Sequence, residues 1–162
     1  METPSSDKYY PWAEALALRH RCSGQSIVLT NGCFDLLHVG HVAALQAASQ
    51  LGDQLWVAIN DDESVRQLKG SGRPIQSLKE RALMLGALAC VHGVFAFHGK
   101  QLAEELEQFR PDIYVKSGDY SLEKLHPAER LALERIACRI CFVPFWEGYS
   151  TTGLIERLRR GP

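Results

Sequence analysis

Residues Leu55-Trp56-Val57-Ala58-Ile59 are apolar without a break, and a run of that length strongly limits its surroundings. A strand with one face in water alternates apolar and polar residues. A strand covered on both faces, as in a parallel sheet between two helix layers, reads instead as a continuous apolar stretch. The preceding sequence completes the unit. Ile27-Val28-Leu29-Thr30 is another short apolar run, ending at Asn31-Gly32; Val42, Leu45 and Ala48 then recur at helical period until Gly52 closes the segment. The order is strand, tight turn, helix, strand.

The alternation continues to the end of the chain. Leu68 to Pro74 reads as a flexible glycine-rich loop, and Ser77 to Glu80 forms a capping box that opens a helix through Ala89. Strands are expected at 94–97, 112–116 and 140–143, with helices at 101–109, 127–137 and 151–160. Ahead of all of these, Pro11-Trp12 introduces a short helix over 13–21. The expected fold is α/β, a single Rossmann-like doubly wound parallel sheet of about five strands with helices on both faces. Its ligand crevice lies beyond the carboxyl ends of the strands. The expected division is an N-terminal helical extension over 1–25 and one domain over 26–162.

Composition narrows the function. A chain of 162 residues, 46% hydrophobic and 23% charged, has the balance of an ordinary folded domain. A net charge of -1 gives no basic field for nucleic acid, so any anion site must be local. No apolar run reaches the roughly 20 residues of a membrane span, and Met1 to Tyr10 lacks the basic and apolar regions of a signal peptide. The expectation is a protein with no membrane partner that stays in the cytoplasm. The odd count of five cysteines fits that reducing compartment. Cys138 and Cys141 have the spacing of half a zinc site, but no second pair completes the four ligands such a site needs.

The most informative stretch runs from Thr30 through Asn31, Gly32, Cys33, Phe34, Asp35, Leu36, Leu37, His38, Val39 and Gly40 to His41. It lies where the first strand delivers the chain to a helix N-terminus, whose exposed N–H groups and dipole favour anions. Gly32 lets the backbone approach a ligand. His38 and His41 are three apart, so on a helical first turn they share a face, with Gly40 leaving room between them. Two imidazoles would then point at one anion. Neither the G-x-G-x-x-G turn nor Walker-A spacing occurs here. Ser150, Thr151 and Thr152 precede the last amphipathic helix and offer more donors at a positive dipole end, although ordinary N-capping explains Ser150 equally well. Lys69 and Arg73 flank the glycine-rich loop, which could close over phosphates or simply carry solvated charges. Asp35 and Asp119 both suit a turn. Cys33 reads as a small space-filling residue, and His20, His92, His98 and His126 show no partner pattern.

The stretch ending His38-Val39-Gly40-His41 resembles the H-x-G-H nucleotidyltransferases, in the form used by their cytidylyltransferase-like branch. The resemblance runs on through Val57 to Asn60, Leu68-Lys69-Gly70, Arg73-Pro74, Arg81, Pro111-Asp112, Val115 to Tyr120 and Ser150-Thr151-Thr152, all in matching order. Together these look most like the adenylyltransferase domains of ADP-heptose synthesis, which join heptose 1-phosphate to AMP. The resemblance implies that His38, His41 and Lys69 are catalytic. It implies that Thr30, Asn31, Gly32, Cys33, Phe34, Gly40, Lys116, Gly118, Asp119, Ser150, Thr151 and Thr152 bind the nucleotide. Asp35, Asn60, Arg73 and Arg81 are assigned to the acceptor. ATP is the implied substrate, with Mg²⁺ carried on its triphosphate and no metal held by the protein itself. A homodimer and a separate sugar kinase acting upstream are the implied partners.

In that chemistry the acceptor phosphate arrives ionised, so no general base is needed. This agrees with the lack of an evident Ser-His-Asp or paired-carboxylate arrangement. Three positions depart from the heptose pattern: Asp61 stands where Ser is frequent, His92 where Asp is frequent, and Ser117 replaces Gly. The segment Ser121 to Arg139 also looks unlike the heptose enzymes. A cytidylyltransferase acting on glycerol 3-phosphate or a phosphoalcohol is therefore an alternative. A nucleotide-binding regulatory module without turnover is another.

Overall fold

The computed structural model describes residues 6–118, 121–144 and 148–161. Its five strands, β1 (Ile27–Gly32), β2 (Gln54–Asn60), β3 (Gly93–Phe97), β4 (Ile113–Ser117) and β5 (Arg139–Val143), form one sheet in the order β3-β2-β1-β4-β5. Every pairing is parallel. The chain moves outward from β1 to β2 to β3, then returns to the other side of β1 for β4. The reversal therefore falls between β1 and β4, and a doubly wound sheet opens its crevice at that point.

Strand β2 explains its own composition. Leu55, Val57 and Ile59 face one apolar cluster while Trp56 and Ala58 face the other. Helices α1 (Trp12–Arg21), α5 (Ala103–Phe109) and α6 (Pro127–Arg135) cover the face built on Leu29, Trp56, Phe95 and Tyr114. Helices α2 (Val39–Ser49) and α4 (Leu78–Gly86) cover the face built on Val28, Val57, Val94 and Val115. Ala15 is completely buried, so α1 is part of the core packing. The segment before α1 lies along the sheet edge, where Val94 N–H donates to the Lys8 carbonyl at 2.8 Å and Tyr10 N–H donates to the Val94 carbonyl at 2.9 Å. That occupies backbone groups which an edge strand would otherwise leave open.

Several boundaries differ from the sequence reading. An additional helix, α3 (Asp62–Lys69), follows β2, and Asp61 is its N-cap, accepting from Ser64 N–H. Helix α2 begins at Val39 rather than Val42, with His38 as its N-cap. The capping box at Ser77 and Glu80 is present, and α4 ends at Gly86 rather than Ala89. Helix α7 (Thr151–Arg160) buries none of its residues and stands beside the crevice.

Candidate functional site

A cleft of about 560 Å³ opens at the carboxyl ends of the strands. Its floor is the turn leaving β1. Phe34 takes a positive φ of 46°, a conformation uncommon for a side chain of this size, and its ring packs on His41 at 5.1 Å between centroids. This folds the chain back so that the first turn of α2 faces the cleft.

The two histidines meet, but not as two residues of one helical turn. His38 lies just outside α2 in extended backbone, and its Nδ1 accepts from His41 N–H at 3.4 Å. The rings stack 3.7 Å apart at 22°. A Cβ on Gly40 would lie 3.1 Å from His38 Nδ1 and 3.2 Å from Tyr149 Cβ, so the bare backbone there keeps the stack open. Burial lowers the pKa of both imidazoles. His41 falls to about 4, through burial first and the adjacent His38 second, with the Leu36 carbonyl opposing. Its Nδ1 is buried with no hydrogen-bond partner. At neutral pH the pair is thus uncharged, and an incoming phosphate would supply the negative charge that makes protonation favourable.

The cations are arranged around this pair. Lys116 Nζ donates to Asn31 Oδ1 at 2.7 Å and lies 3.5 Å from Glu129 Oε2; burial lowers its pKa and Glu129 opposes the shift. Tyr114 Oη donates to Asn31 Oδ1 at 2.9 Å, and Leu102 N–H donates to Glu129 Oε1 at 3.1 Å, which completes a buried polar network. Lys69 ends α3 and is followed by Gly70, whose φ is +97°. Arg73 pairs with the buried Asp35, whose other oxygen accepts from Ile75 and Gln76 N–H groups at 2.7 and 3.1 Å. Asp35 therefore neither forms its own Asx turn nor has a free carboxylate. It fixes the segment that carries Arg73.

On the opposite wall, Ser150 caps α7 by accepting from Gly153 N–H at 3.0 Å, and Thr151 Oγ1 donates to the Leu36 carbonyl at 3.4 Å. The N-termini of α2 and α7 thus converge on one space. Burial raises the Cys33 thiol pKa, and its Sγ donates to Asn60 Oδ1 at 3.6 Å, so it is a protonated packing group.

The cleft brings together Asn31, Gly32, Cys33, Phe34, Asp35, His38, Gly40, His41, Asn60, Lys69, Arg73, Lys116, Ser150, Thr151 and Thr152. Three other sequence candidates do not line it. Thr30 donates its hydroxyl to the Val115 carbonyl at 2.9 Å, between strands. Arg81, assigned to the acceptor, is fully buried and bonds Cys33 O at 2.6 Å, Asp62 at 2.7 Å and Gln76 O at 3.2 Å, so its guanidinium braces the scaffold. Gly118 follows β4 with a φ of 118° outside the lining. Asp119 lies outside the described residues. Sequence reasoning did not single out Lys100, Lys124, Glu129 or Tyr149 and set His126 aside as showing no partner pattern, yet all five line the cleft. For Lys100 a signal existed, since it closely follows a strand at the ligand-binding end of the sheet.

A parallel sheet with its cleft at the strand reversal, floored by a helix N-terminus and ringed by cations, defines an α/β protein whose crevice favours anions. The chain belongs to the cytidylyltransferase-like family, whose model matches residues 29–157. It is 47% identical over 142 residues to the bifunctional protein HldE of Koribacter versatilis and 44% identical over 139 residues to that of Azotobacter vinelandii. These matches cover 88% and 86% of this chain but 29% of each relative, so the chain spans less than a third of the relatives it matches. Among solved structures, a lipopolysaccharide core biosynthesis protein from Thermoplasma volcanium superposes with a TM-score of 0.62 at 26% identity, over 78% of this chain and all of the other. A pantoate-beta-alanine ligase from Francisella tularensis shares the fold, with a TM-score of 0.61 at 14% identity over 93% of this chain and 78% of its own.

Proposed function

We propose that this chain transfers AMP from ATP to a sugar phosphate, heptose 1-phosphate, with release of pyrophosphate and formation of a nucleoside-diphosphate sugar. The observation that carries the reading is the convergence of the α2 and α7 N-termini on one cleft floored by the His38–His41 stack. The similarity to HldE proteins and to a lipopolysaccharide core biosynthesis protein supports the heptose acceptor.

In the reaction an acceptor phosphate oxygen attacks the α-phosphorus in line. The bond from that phosphorus to the bridging oxygen breaks, and pyrophosphate leaves with the electron pair. The nucleophile arrives ionised, so the residues position substrates and offset charge. The imidazoles and the two helix N-termini receive the nucleotide phosphates, and Lys69 neutralises charge from the loop side, with Arg73 held in the same wall by its pair with Asp35. Magnesium enters with the triphosphate as part of the substrate. A kinase step must precede this one to phosphorylate the sugar. We place the protein in the cytoplasm as a homodimer. Among the described residues no helix is long and apolar enough to cross a membrane.

The test is a panel in which the protein, Mg²⁺ and ATP or CTP are incubated with heptose 1-phosphate, glycerol 3-phosphate or phosphoethanolamine, and products are identified by mass. ADP-heptose with ATP alone is the expected result. Turnover with CTP alone overturns the donor, and turnover of glycerol 3-phosphate but not the heptose overturns the acceptor. Nucleotide-dependent thermal stabilisation without pyrophosphate release from any pair identifies a binding module.

A further inference from the structure

Lys100 lines the cleft on a loop whose backbone is gripped from both sides at the preceding residue. Gly99 N–H donates to Ser64 Oγ at 2.7 Å, and the Gly99 carbonyl accepts from Asn60 Nδ2 at 3.0 Å. Both gripping side chains are buried, Ser64 completely. Ser64 Oγ donates in turn to Asp61 Oδ1, while Asp61 Oδ2 pairs with His98 Nδ1 at 2.7 Å on the same loop. Gly99 has a φ of +95°, which side-chain-bearing residues rarely adopt. The loop is thus held by a chain of polar contacts reaching from the cap of α3. Lys100 itself is exposed and makes no ion pair among the described residues. A solvated surface lysine needs no such support, whereas a lysine that meets an anion gains from a fixed backbone because less freedom is lost on binding.

Its place in the sheet indicates which anion. The N-termini of α2 and α7 adjoin each other through the contact of Thr151 with the Leu36 carbonyl, and α2 also packs against β5. In the transfer reaction proposed above, two helix N-termini on that side make it the place for the triphosphate. Lys100 follows β3, at the opposite edge, and Asn60 ends β2 beside it. We propose that Lys100 binds the phosphate of the acceptor, with Asn60, Asp61 and Ser64 as positioning residues that hold its loop. This rests on the transfer reaction proposed above. In that role Lys100 neutralises a non-attacking oxygen while another oxygen of the same phosphate forms the new bond to the α-phosphorus. It also accounts for Asp61, where the heptose pattern often has Ser, because its carboxylate orients the Ser64 hydroxyl.

Steady-state kinetics with both substrates varied test the assignment in wild type, Lys100→Ala, Lys100→Arg and Ser64→Ala. Lys100→Ala should raise the acceptor KM about ten- to a hundredfold, the range of a charge-assisted hydrogen bond, with the ATP KM held within about twofold. Lys100→Arg should recover most of that loss. Ser64→Ala should raise the acceptor KM by less, without a matching rise for ATP. An unchanged acceptor KM in Lys100→Ala, or an equal rise for ATP, overturns the proposal while leaving the transfer reaction intact. If the wild type instead uses another phosphate acceptor, the same split measured on that acceptor supports it and an even rise overturns it. A wild type that turns over no phosphate acceptor overturns the transfer reaction and this assignment together.

Discussion

His41 is held in a place that disfavours its charged form, which gives a signature independent of any substrate. Its folded pKa of about 4 lies well below the ordinary imidazole value of 6.5. Between those two values the unfolded chain binds a proton that the folded chain refuses, so stability is fully present above pH 6.5 and falls as pH drops toward 4. The span is worth roughly 3 kcal/mol. His41→Gln should flatten that part of the stability-against-pH curve in urea titrations; an unaltered slope would show that His41 titrates normally. Phosphate binding should raise the His41 pKa, which NMR titration of the ring with and without nucleotide will show as proton uptake. For the reaction itself, His41→Ala should lower kcat about 100- to 1,000-fold, on the scale of a single oxyanion-hole donor, with a smaller change in nucleotide affinity. A folded variant with normal kcat removes His41 from the mechanism.

At the scale of elements, the loop from α3 into α4 separates charge used for folding from charge used for binding. Asp35 anchors Arg73 and the backbone of Ile75 and Gln76, whereas Lys69 is exposed at the end of α3 and Gly70 beside it has open space where a side chain would stand. Lys69→Ala should therefore leave Tm nearly unchanged and sharply lower kcat/KM, since a solvated charge adds little stability while a phosphate contact adds much. Turnover within about twofold of wild type would assign Lys69 to solvent. The same segment shows where sequence stops informing. Helix α3 buries only Ser64 and Val65, so its eight residues carry little apolar signal, and the Asn60-Asp61-Asp62 run reads as a turn. The β1 turn was legible because its function depends on consecutive residues at a strand-to-helix junction. Tyr149, His126 and Glu129 were not, because nothing local marks them and only the return of α6 and α7 brings them to the cleft.

At the scale of the whole molecule, the cleft depends on a charge that never reaches it. Arg81 joins α4 to the Cys33 carbonyl of the β1 turn and to Asp62 at the start of α3, so one guanidinium ties together three segments that approach the cleft. From sequence this arginine was assigned to the acceptor, because an arginine in an anion-binding pattern looks the same whether it faces ligand or scaffold. Its complete burial separates the two roles. Arg81→Met keeps much of the side-chain bulk but leaves Asp62 and two carbonyl groups without their donor. Asp62 keeps access to water, so the cost falls mainly on the two carbonyls, about 1–3 kcal/mol for each buried group left unpaired, and for a chain of this size that lowers Tm by roughly 5–10 °C. Loosening the β1 turn should also reduce kcat, and saturating acceptor should not restore it, because the misplaced groups are those that receive the nucleotide phosphates. A variant with unchanged Tm and a raised acceptor KM would instead return Arg81 to the acceptor site.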